Sequence, residues 1–552
     1  MERHVQPFIF KNGLINVCDL AGRTVEAIAV KDGRILAAGA LAGVQEAAGP
    51  GARTIDLEGK AVMPGVVDVH NHHALGGRAA LFELNFAPTL TYEDILGAVR
   101  GAARNTPAGR WIHGGSFDSA LAARLDTAGA LADLDAASES RPVVLRDDSA
   151  HNRWCNSAAL AAGGITSETP DPPAGRIGRD QEAGTPTGFL SETASRVVDA
   201  AMEHATYPDV SVNGQVARKA IEILNALGVT AFQDAYTSLP MVEALAALDR
   251  SGDLHAWAVT SMPAHEALYV PGPIGPELFA LKEQYRTEHV RPDFAKLMLD
   301  GVPMTGTASM LEPYRVSAGF GCCYRGGAVM TLPQLARLLA DIEGLGMAAK
   351  IHCAGDGASR LALDAIEVLR DFNGPTHLRH QIAHACIIDG SDVARLAKLN
   401  VTADLSPMLW FPSVLERALR GAVDDAVIDK MAPIADFLRA GVLVAGGSDW
   451  PVSPTPDPWL AMEGMVTRKD PTRLFPGALG LEQAITAMEA MRCYTLSGAQ
   501  AIGLGDQIGS LEVGKIADFI ILDRDPATCA PDDIAETKVL STWFAGKKVY
   551  ER

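Results

Sequence analysis

Apolar, strand-like runs alternate with helical patterns along most of this chain, and this alternation limits the folds that it can adopt. Segments such as 211–228, 331–346 and 357–374 carry apolar residues at three- and four-residue spacing and end in glycine, as amphipathic helices do. Strands that alternate with helices form parallel sheets, and eight such units predict an α/β TIM barrel. The predicted strands, numbered 1 to 8, are 61–70, 229–236, 254–262, 294–301, 347–355, 379–386, 399–406 and 442–449.

The gap between strands 1 and 2 is far longer than the connections that such a barrel usually has. We predict that residues 75–215 form an inserted cap region. Because this region leaves from the carboxyl end of a strand, where the active sites of barrels lie, we expect it to cover the pocket.

Both ends of the chain read as short strands separated by turns. Near the amino end, "VEAIAVKDGRILAAG" contains a hairpin signal at Lys31-Asp32-Gly33. Near the carboxyl end, "GSLEVGKIADFIILD" and "STWFAGKKVYER" are strand-like runs. We predict a composite β-sandwich domain of residues 1–63 and 505–552, beside a barrel domain of residues 64–504.

Composition narrows the class of protein and of partner. Apolar residues make up 48% and charged residues 21% of the 552 positions, which is typical of a soluble globular chain. A net charge of −19 disfavours nucleic acid and anionic membranes as partners, and no stretch approaches the roughly 18 apolar residues of a membrane span. The 8 cysteines are scattered and favour reduced thiols. We predict a cytoplasmic protein with a small-molecule substrate.

Candidate metal ligands lie at the ends of the predicted strands. In "VDVHNHH", residues 67–73, His70 and His72 point the same way because strand side chains alternate between faces. The same alternation aims Cys353 and Cys386 away from such a site. The carboxyl ends of barrel strands converge on one rim, so the scattered candidates predict one site for zinc or a similar ion. The other candidates are Lys296 inside strand 4 and His352, His384 and Asp449 at the ends of strands 5, 6 and 8.

Longer motifs surround these residues. They are "PGVVDVHNHH", "KLMLDG", "HCAGDGASRLALDAIE", "RHQIAHA" and "GSDWPVSPTPDP" in the barrel, "DDSAHNRWCNSAAL" and "TGFLSE" in the insertion, and "GSLEVGKIADFIILD" near the carboxyl end. With them the chain resembles the metal-dependent amidohydrolase superfamily, in the YtcJ-like branch that includes N-substituted formamide deformylases. The resemblance covers nearly the whole chain.

The resemblance implies a binuclear metal centre, with two Zn per chain and with Mn, Fe or Co as alternatives. Relatives often carry Glu before the strand 6 histidine, where this chain has Ala383. The resemblance also implies a homodimer. The implied ligands are His70, His72 and Asp449 for one ion, and His352 and His384 for the other.

Lys296 would bridge the two ions in this arrangement. An ammonium group cannot bind a cation, but carboxylation of the lysine by carbon dioxide would make it an anionic carbamate with two oxygens. The alternative is that Lys296 is an ordinary charged residue near Asp300, and that the site holds a single metal.

The chemistry that we expect is hydrolysis by a metal-activated hydroxide, with Asp449 as the proton acceptor. No G-x-S-x-G motif is present, which argues against a serine hydrolase. The bond would be the C–N bond of an amide or formamide. A hydrolytic deaminase or cyclic amidase is the alternative on the same metals, and a non-catalytic scaffold is the alternative of another class.

Aromatic residues after the strand ends suggest a hydrophobic N-substituted substrate. Trp410 follows strand 7 in "SPMLWFP", and Trp450 follows Asp449. The alternative is that these side chains pack the insertion onto the barrel. From the insertion, His151 and Glu192 are further pocket candidates, although Glu192 reads equally well as a carboxylate that caps a helix.

Overall fold

Eight parallel strands form a nearly closed barrel in the computed structural model, which describes residues 6–173, 175–207, 210–266 and 269–552. Within these residues the predicted strands are present in the predicted order, with ends that differ by a few residues. The barrel strands, again numbered 1 to 8, are Val66–Asn71, Val229–Asp234, Trp257–Pro263, Val290–Met298, Ala348–His352, Gln381–His384, Thr402–Leu405 and Leu443–Gly446.

Strand 8 meets strand 1 along a seam that closes the barrel. The N–H of Asp449 donates to the carbonyl of His70 at 2.6 Å. Beside it, the buried carboxylate of Asp68 accepts hydrogen bonds from both the N–H and the hydroxyl of Ser448, at 2.9 and 2.7 Å, and from the N–H of His70 at 3.1 Å. One side chain of strand 1 thereby holds the end of strand 8 in place.

Amphipathic helices surround the barrel and bury their apolar faces against it. Their residues form one large apolar cluster with the outward side of the strands. Gly252 ends the helix after strand 2 in the left-handed conformation, which glycine adopts without strain. The longer helices are Val210–Ala226, Leu239–Ser251, Leu332–Gly344, Asp356–Asn373, Val414–Ala422 and Pro458–Thr467. None of the described helices has the length and apolarity that a membrane span requires.

Both chain ends contribute to one further sheet. The 61–70 run contains two strands, because Ala61–Pro64 pairs with Phe519–Leu522 in this sheet and only Val66–Asn71 enters the barrel. The packing of this region as a sandwich stays a prediction. Its described strands are Phe8–Asn16, Thr24–Lys31, Arg34–Gly39, Arg53–Asp56, Ala61–Pro64, Phe519–Leu522, Val539–Phe544 and Lys547–Glu551.

A separate mixed sheet forms between strands 1 and 2 of the barrel, inside the region predicted as an insertion. It has its own apolar cluster, in which Phe117, Trp154 and Leu145 are fully buried. The helices Tyr92–Asn105 and Ala128–Ser138 pack on it. Its strands in the described part are Ile112–Phe117, Val143–Asp147, Asn152–Cys155, Gly175–Arg179 and Pro186–Glu192.

Gly447 lies at the seam, where no side chain fits. A Cβ atom at this position would lie 2.5 Å from Cβ of His70 and 2.6 Å from its backbone nitrogen. We expect Gly447→Ala to destabilise the protein by about 1–3 kcal/mol, because the two strands must move apart. Calorimetric melting measures this change. Gly421→Ala is the control, since nothing lies within 4 Å of a Cβ there; equal melting of the two variants would contradict the role of the seam.

Candidate metal centre

The end of strand 1 and the loop after strand 8 place three candidate ligands together. His70 is fully buried and His72 follows the strand at the rim, with 19% of its side chain exposed. Their Nε2 atoms lie 3.5 and 3.3 Å from Oδ1 of Asp449. The three ligand atoms lie within 4.8 Å of one another, a spacing that one metal ion can bridge.

His384 and His352 continue this cluster along the rim. The imidazole of His384 lies 4.8 Å from that of His70, centre to centre, and its Nε2 is 2.9 Å from Nδ1 of His352. Its Nδ1 lies 3.8 Å from Oδ2 of Asp449. The structure thus brings together the histidines predicted for both ions, next to the same carboxylate.

Lys296 lines the same cavity, and its charge acts on both His70 and His352. Its side chain is buried, and within the described ranges its Nζ makes no hydrogen bond. Burial and the neighbouring ammonium of Lys350 lower the pKa of Lys296 to about 8. A larger share of this amine is therefore neutral near pH 7 than for an exposed lysine, and the neutral amine is the form that reacts with carbon dioxide.

The chemistry of the donor atoms fits a divalent metal ion. Nδ1 of His70 lies 2.8 Å from Oδ2 of Asp404, so Nδ1 carries the proton and the lone pair of Nε2 faces the cluster. This Nε2 and Oδ1 of Asp449 are buried and have no hydrogen-bond partner among the described residues. Burial, Lys350 and Lys296 hold the pKa of His70 well below its usual value, and burial and Lys296 lower that of His352 to about 3. A neutral imidazole with a free lone pair, as at Nε2 of His70, is the form that binds metals.

Two of the clustered residues have an unusual backbone. Asp449 has φ of +54° and His384 has φ of +71°, in the left-handed region that side chains with a Cβ rarely adopt. Such conformations persist where surrounding contacts fix them, and they concentrate at functional sites. The backbone therefore turns both side chains toward the cluster just after their strands end.

This backbone also corrects the interpretation of one cysteine. Cys353 and Cys386 both belong to the apolar core, but Cys386 also lines the cavity, which alternation did not predict. Alternation between faces fails at Cys386 because strand 6 ends at His384, and Ala385 also has a positive φ. Burial raises the pKa of the Cys386 thiol to about 12, so this thiol is not a nucleophile near neutral pH.

Asp404 and Lys350 are site residues that the sequence reasoning missed. Both side chains are fully buried, and Nζ of Lys350 donates to the same Oδ2 of Asp404 that contacts His70. Asp404 is in register with Ala383, so the neighbouring strand provides a carboxylate beside the position where relatives often carry Glu. The sequence does contain a signal for both residues. A charged side chain inside a short buried strand, such as "AAKIH" or "TADL", needs a buried partner of opposite charge.

The insertion places His151 against the barrel residues. Its ring lies 6.4 Å from that of His352, and it lines the cavity. Nδ1 of His151 lies 2.7 Å from Oε2 of Glu192. Burial lowers the pKa of His151, but the hydrogen bond and the charge of Glu192 outweigh this effect and raise it overall.

Glu192 does not line the cavity in the described part of the chain; instead, it supports His151 from behind. It precedes a short helical turn, but its side chain makes no capping hydrogen bond to the described residues there. The contact of Glu192 that the structure shows toward the cavity is therefore the one with His151.

Neither tryptophan side chain is among the described residues that line the cavity. Trp410 is fully buried, and the guanidinium of Arg468 lies 4.3 Å from the centre of its ring. The ring of Trp450 packs on Gly76, where a Cβ would lie 2.2 Å from it. In "SPMLWFP" the residue that lines the cavity is Leu409.

The cavity has a volume of about 300 Å³ and a largely apolar wall. Arginines from the region between strands 1 and 2 also line it, but each is paired with a carboxylate. Arg78 makes two hydrogen bonds to Glu203, at 2.6 and 2.7 Å. Arg153 pairs in the same way with Asp199, and Arg146 pairs with Glu83. The apolar lining residues include Val302, Met304, Leu409, Leu415, Leu419 and Met431.

Histidines near the cluster serve other purposes. His73 begins the helix after strand 1, and its Nδ1 lies 2.6 Å from Oδ2 of Asp234. His113, for which the sequence gives no site signal, lines the cavity and lies 2.7 Å from the hydroxyl of Tyr207. Both rings fix the wall around the centre rather than extend the ligand group.

Comparisons with known proteins identify the family and the fold. The profile of the amidohydrolase family matches residues 53–550. An N-substituted formamide deformylase of Arthrobacter pascens is 30% identical, over 98% of this chain and 98% of its own length. A putative amidohydrolase, YtcJ, of Bacillus subtilis is 28% identical over 99% of both chains. An uncharacterised metal-dependent hydrolase of Pyrococcus horikoshii shares the fold, with a TM-score of 0.75, 23% identity and coverage of 95% of this chain and 99% of its own.

The family match spans most of the chain, and the two sequence relatives align over nearly their whole length. The chain therefore belongs to the amidohydrolase family, in the YtcJ-like branch that includes N-substituted formamide deformylases, and is a hydrolase that acts on carbon–nitrogen bonds.

Proposed function

We propose that the protein hydrolyses the amide or formamide bond of a small, neutral, N-substituted substrate at a metal centre built on His70, His72 and Asp449. The observation that carries this proposal is the pair of buried, unpartnered atoms, Nε2 of His70 and Oδ1 of Asp449, which lie 3.5 Å apart and face the open rim. A divalent ion would satisfy both atoms. Zinc fits these N and O ligands best, with Mn, Fe and Co as alternatives.

His352 and His384 would hold a second ion, with Lys296 as an N6-carboxylated bridge. The presence of Lys296 in the same cavity wall as both groups, its burial and its lowered pKa support this part of the proposal. The alternative is one ion with an unmodified, neutral Lys296. In either case the bound metal supplies a hydrolytic water of lowered pKa and a Lewis acid for the substrate carbonyl.

Asp449 would accept the proton of the attacking water and pass it to the nitrogen of the departing amine. Its carboxylate is suited to this role because it lies within 3.5 Å of the imidazoles of both His70 and His72. The C–N bond breaks as the nitrogen gains this proton, and the products are an amine and a carboxylic acid. His151, oriented by Glu192, would donate a hydrogen bond to the substrate from the side of the insertion.

The cavity wall indicates the kind of substrate. The arginines of the wall are each neutralised by a carboxylate, so they offer no free cation to a substrate carboxylate. The apolar residues at the rim would hold a hydrophobic N-substituent. A relative named N-substituted formamide deformylase supports an N-substituted formamide as the first candidate.

The proposal predicts that metal-loaded protein releases amine from N-formyl or N-acetyl amines, and that a chelator abolishes this release. A panel of N-formyl, N-acetyl and cyclic amides measures the preference. Elemental analysis of the loaded protein then counts the ions, and two per chain would support the carboxylated bridge. Hydrolysis of the cyclic amides alone would favour a cyclic amidase, bound metal without turnover of any member of the panel would favour a deaminase, and absence of bound metal would favour a scaffold.

Replacement of the proton acceptor tests the role of Asp449. We expect Asp449→Asn to lower kcat by about 10²- to 10⁴-fold, because the amide cannot accept the proton of the water. Metal content must be measured on the same sample, so that loss of the ion is separated from loss of the base. Asp371→Asn on the surface is the control. A variant that retains metal and full kcat would show that another group takes the proton.

Adjacent residues of "SPMLWFP" separate a pocket role from a packing role. Leu409→Ala should change the preference among N-substituents while the melting temperature changes little, because Leu409 lines the cavity. Trp410→Ala should instead cost about 3–5 kcal/mol of stability, because its buried ring leaves a void beside Arg468. The amide panel and calorimetry measure the two effects. A changed preference among N-substituents in Trp410→Ala, with little loss of stability, would instead place Trp410 in the pocket.

A further inference from the structure

We propose that Lys350 is a positioning residue of the metal centre: through Asp404 it fixes the imidazole of His70 so that Nε2 faces the ion. The proposal rests on the assignment of His70 as a ligand under the proposed function. Lys350, Asp404 and His70 come from strands 5, 7 and 1 of the barrel. Neither Lys350 nor Asp404 lies within the motifs that carry the family resemblance.

The three side chains form a continuous buried chain of contacts. All three have 0% exposure. A single oxygen, Oδ2 of Asp404, accepts hydrogen bonds from Nζ of Lys350 and from Nδ1 of His70, the latter at 2.8 Å. The carboxylate therefore cannot rotate toward one partner without weakening its contact with the other.

The direction of the His70 ring depends on this oxygen. An imidazole has two nitrogens, and the one that carries the proton cannot bind a metal. The contact with Asp404 selects the form with the proton on Nδ1, which leaves the lone pair on Nε2 beside Asp449. Carboxylates that hold metal-binding histidines in this way also raise their affinity for the ion.

Lys350 determines where this carboxylate lies. Without the ammonium, Asp404 would be a buried negative charge whose remaining hydrogen bond among the described residues is the one with His70, since its Oδ1 has no partner there. Such a carboxylate lowers its energy by turning toward other donors or by taking up a proton. Either change alters the hydrogen bond that orients His70.

Fold stability is a weak explanation for the pair. A buried ion pair is often no more stable than apolar residues of the same volume, because both charges lose their hydration. Lys350 is also in register with Lys296, so the fold places two buried lysines side by side. This arrangement costs free energy, which a structural role alone does not recover. Lys350 contacts the carboxylate of Asp404 that holds Nδ1 of His70, so the lysine has a function at the metal centre.

The test compares metal affinity with fold stability in Lys350→Met. We expect its zinc affinity, measured by competition with a chromogenic chelator, to fall by about 10- to 100-fold. The melting temperature of the metal-free single variant should fall, because Asp404 is left as an unpaired buried charge, whereas that of the double variant Lys350→Met with Asp404→Asn should stay the same or rise. The visible spectrum of the cobalt-loaded variant should change, since the ring of His70 is no longer held in one direction. Arg360→Met, which breaks an ion pair with Asp392 outside the barrel, is the control and should leave affinity unchanged.

His70→Ala separates this proposal from the proposed function. Loss of affinity in His70→Ala with wild-type affinity in Lys350→Met would overturn the positioning role and leave the metal centre intact. Wild-type affinity in His70→Ala would overturn the centre itself. If Lys350→Met fails to fold, the double variant Lys350→Met with Asp404→Asn removes both buried charges. This double variant must also bind zinc more weakly than the wild type, and equal affinity would refute the role.

Discussion

The seam between the first and last strands of the barrel is the contact on which the candidate centre depends. Asp68 binds the backbone and the hydroxyl of Ser448, while the carbonyl of His70 accepts from the N–H of Asp449. Residues almost 400 positions apart in sequence are thereby held within one hydrogen bond. The hydrogen bonds at this seam set the distance between the metal ligands proposed at the ends of strands 1 and 8.

Much of the architecture and the rim of the site could be predicted, because both follow from short periodicities. Alternation along strand 1 put His70 and His72 on one side, and the geometry of parallel barrels brought His352, His384 and Asp449 to one rim. The loop residues Trp410 and Trp450 could not be placed, since their direction depends on packing against Arg468 and Gly76. Alternation does not give the direction of Cys386, because the two residues before it have positive φ values.

Charges inside strands were a stronger signal than the aromatic residues. Lys350 and Asp404 interrupt otherwise apolar strands, and the cost of a buried charge requires a partner for each of them. Pairing across strands cannot be derived from one sequence, which is why their link to His70 needed the structure. The same holds for His151 and Glu192. The sequence suggested both as pocket residues, but only the structure shows that Glu192 contacts and orients His151.

The composite sheet has a consequence for how the protein is made. Strand 1, which carries His70, continues from Ala61–Pro64 through the single residue Gly65, and the antiparallel neighbour of Ala61–Pro64 is Phe519–Leu522. During translation the first of these segments leaves the ribosome long before the second. Ala61–Pro64 must therefore wait for this neighbour until all eight barrel strands have been synthesised, and such long-range pairing slows folding and leaves strand edges exposed to aggregation. The sheet that adjoins the first metal-binding strand is thus completed only when synthesis of the chain is nearly finished.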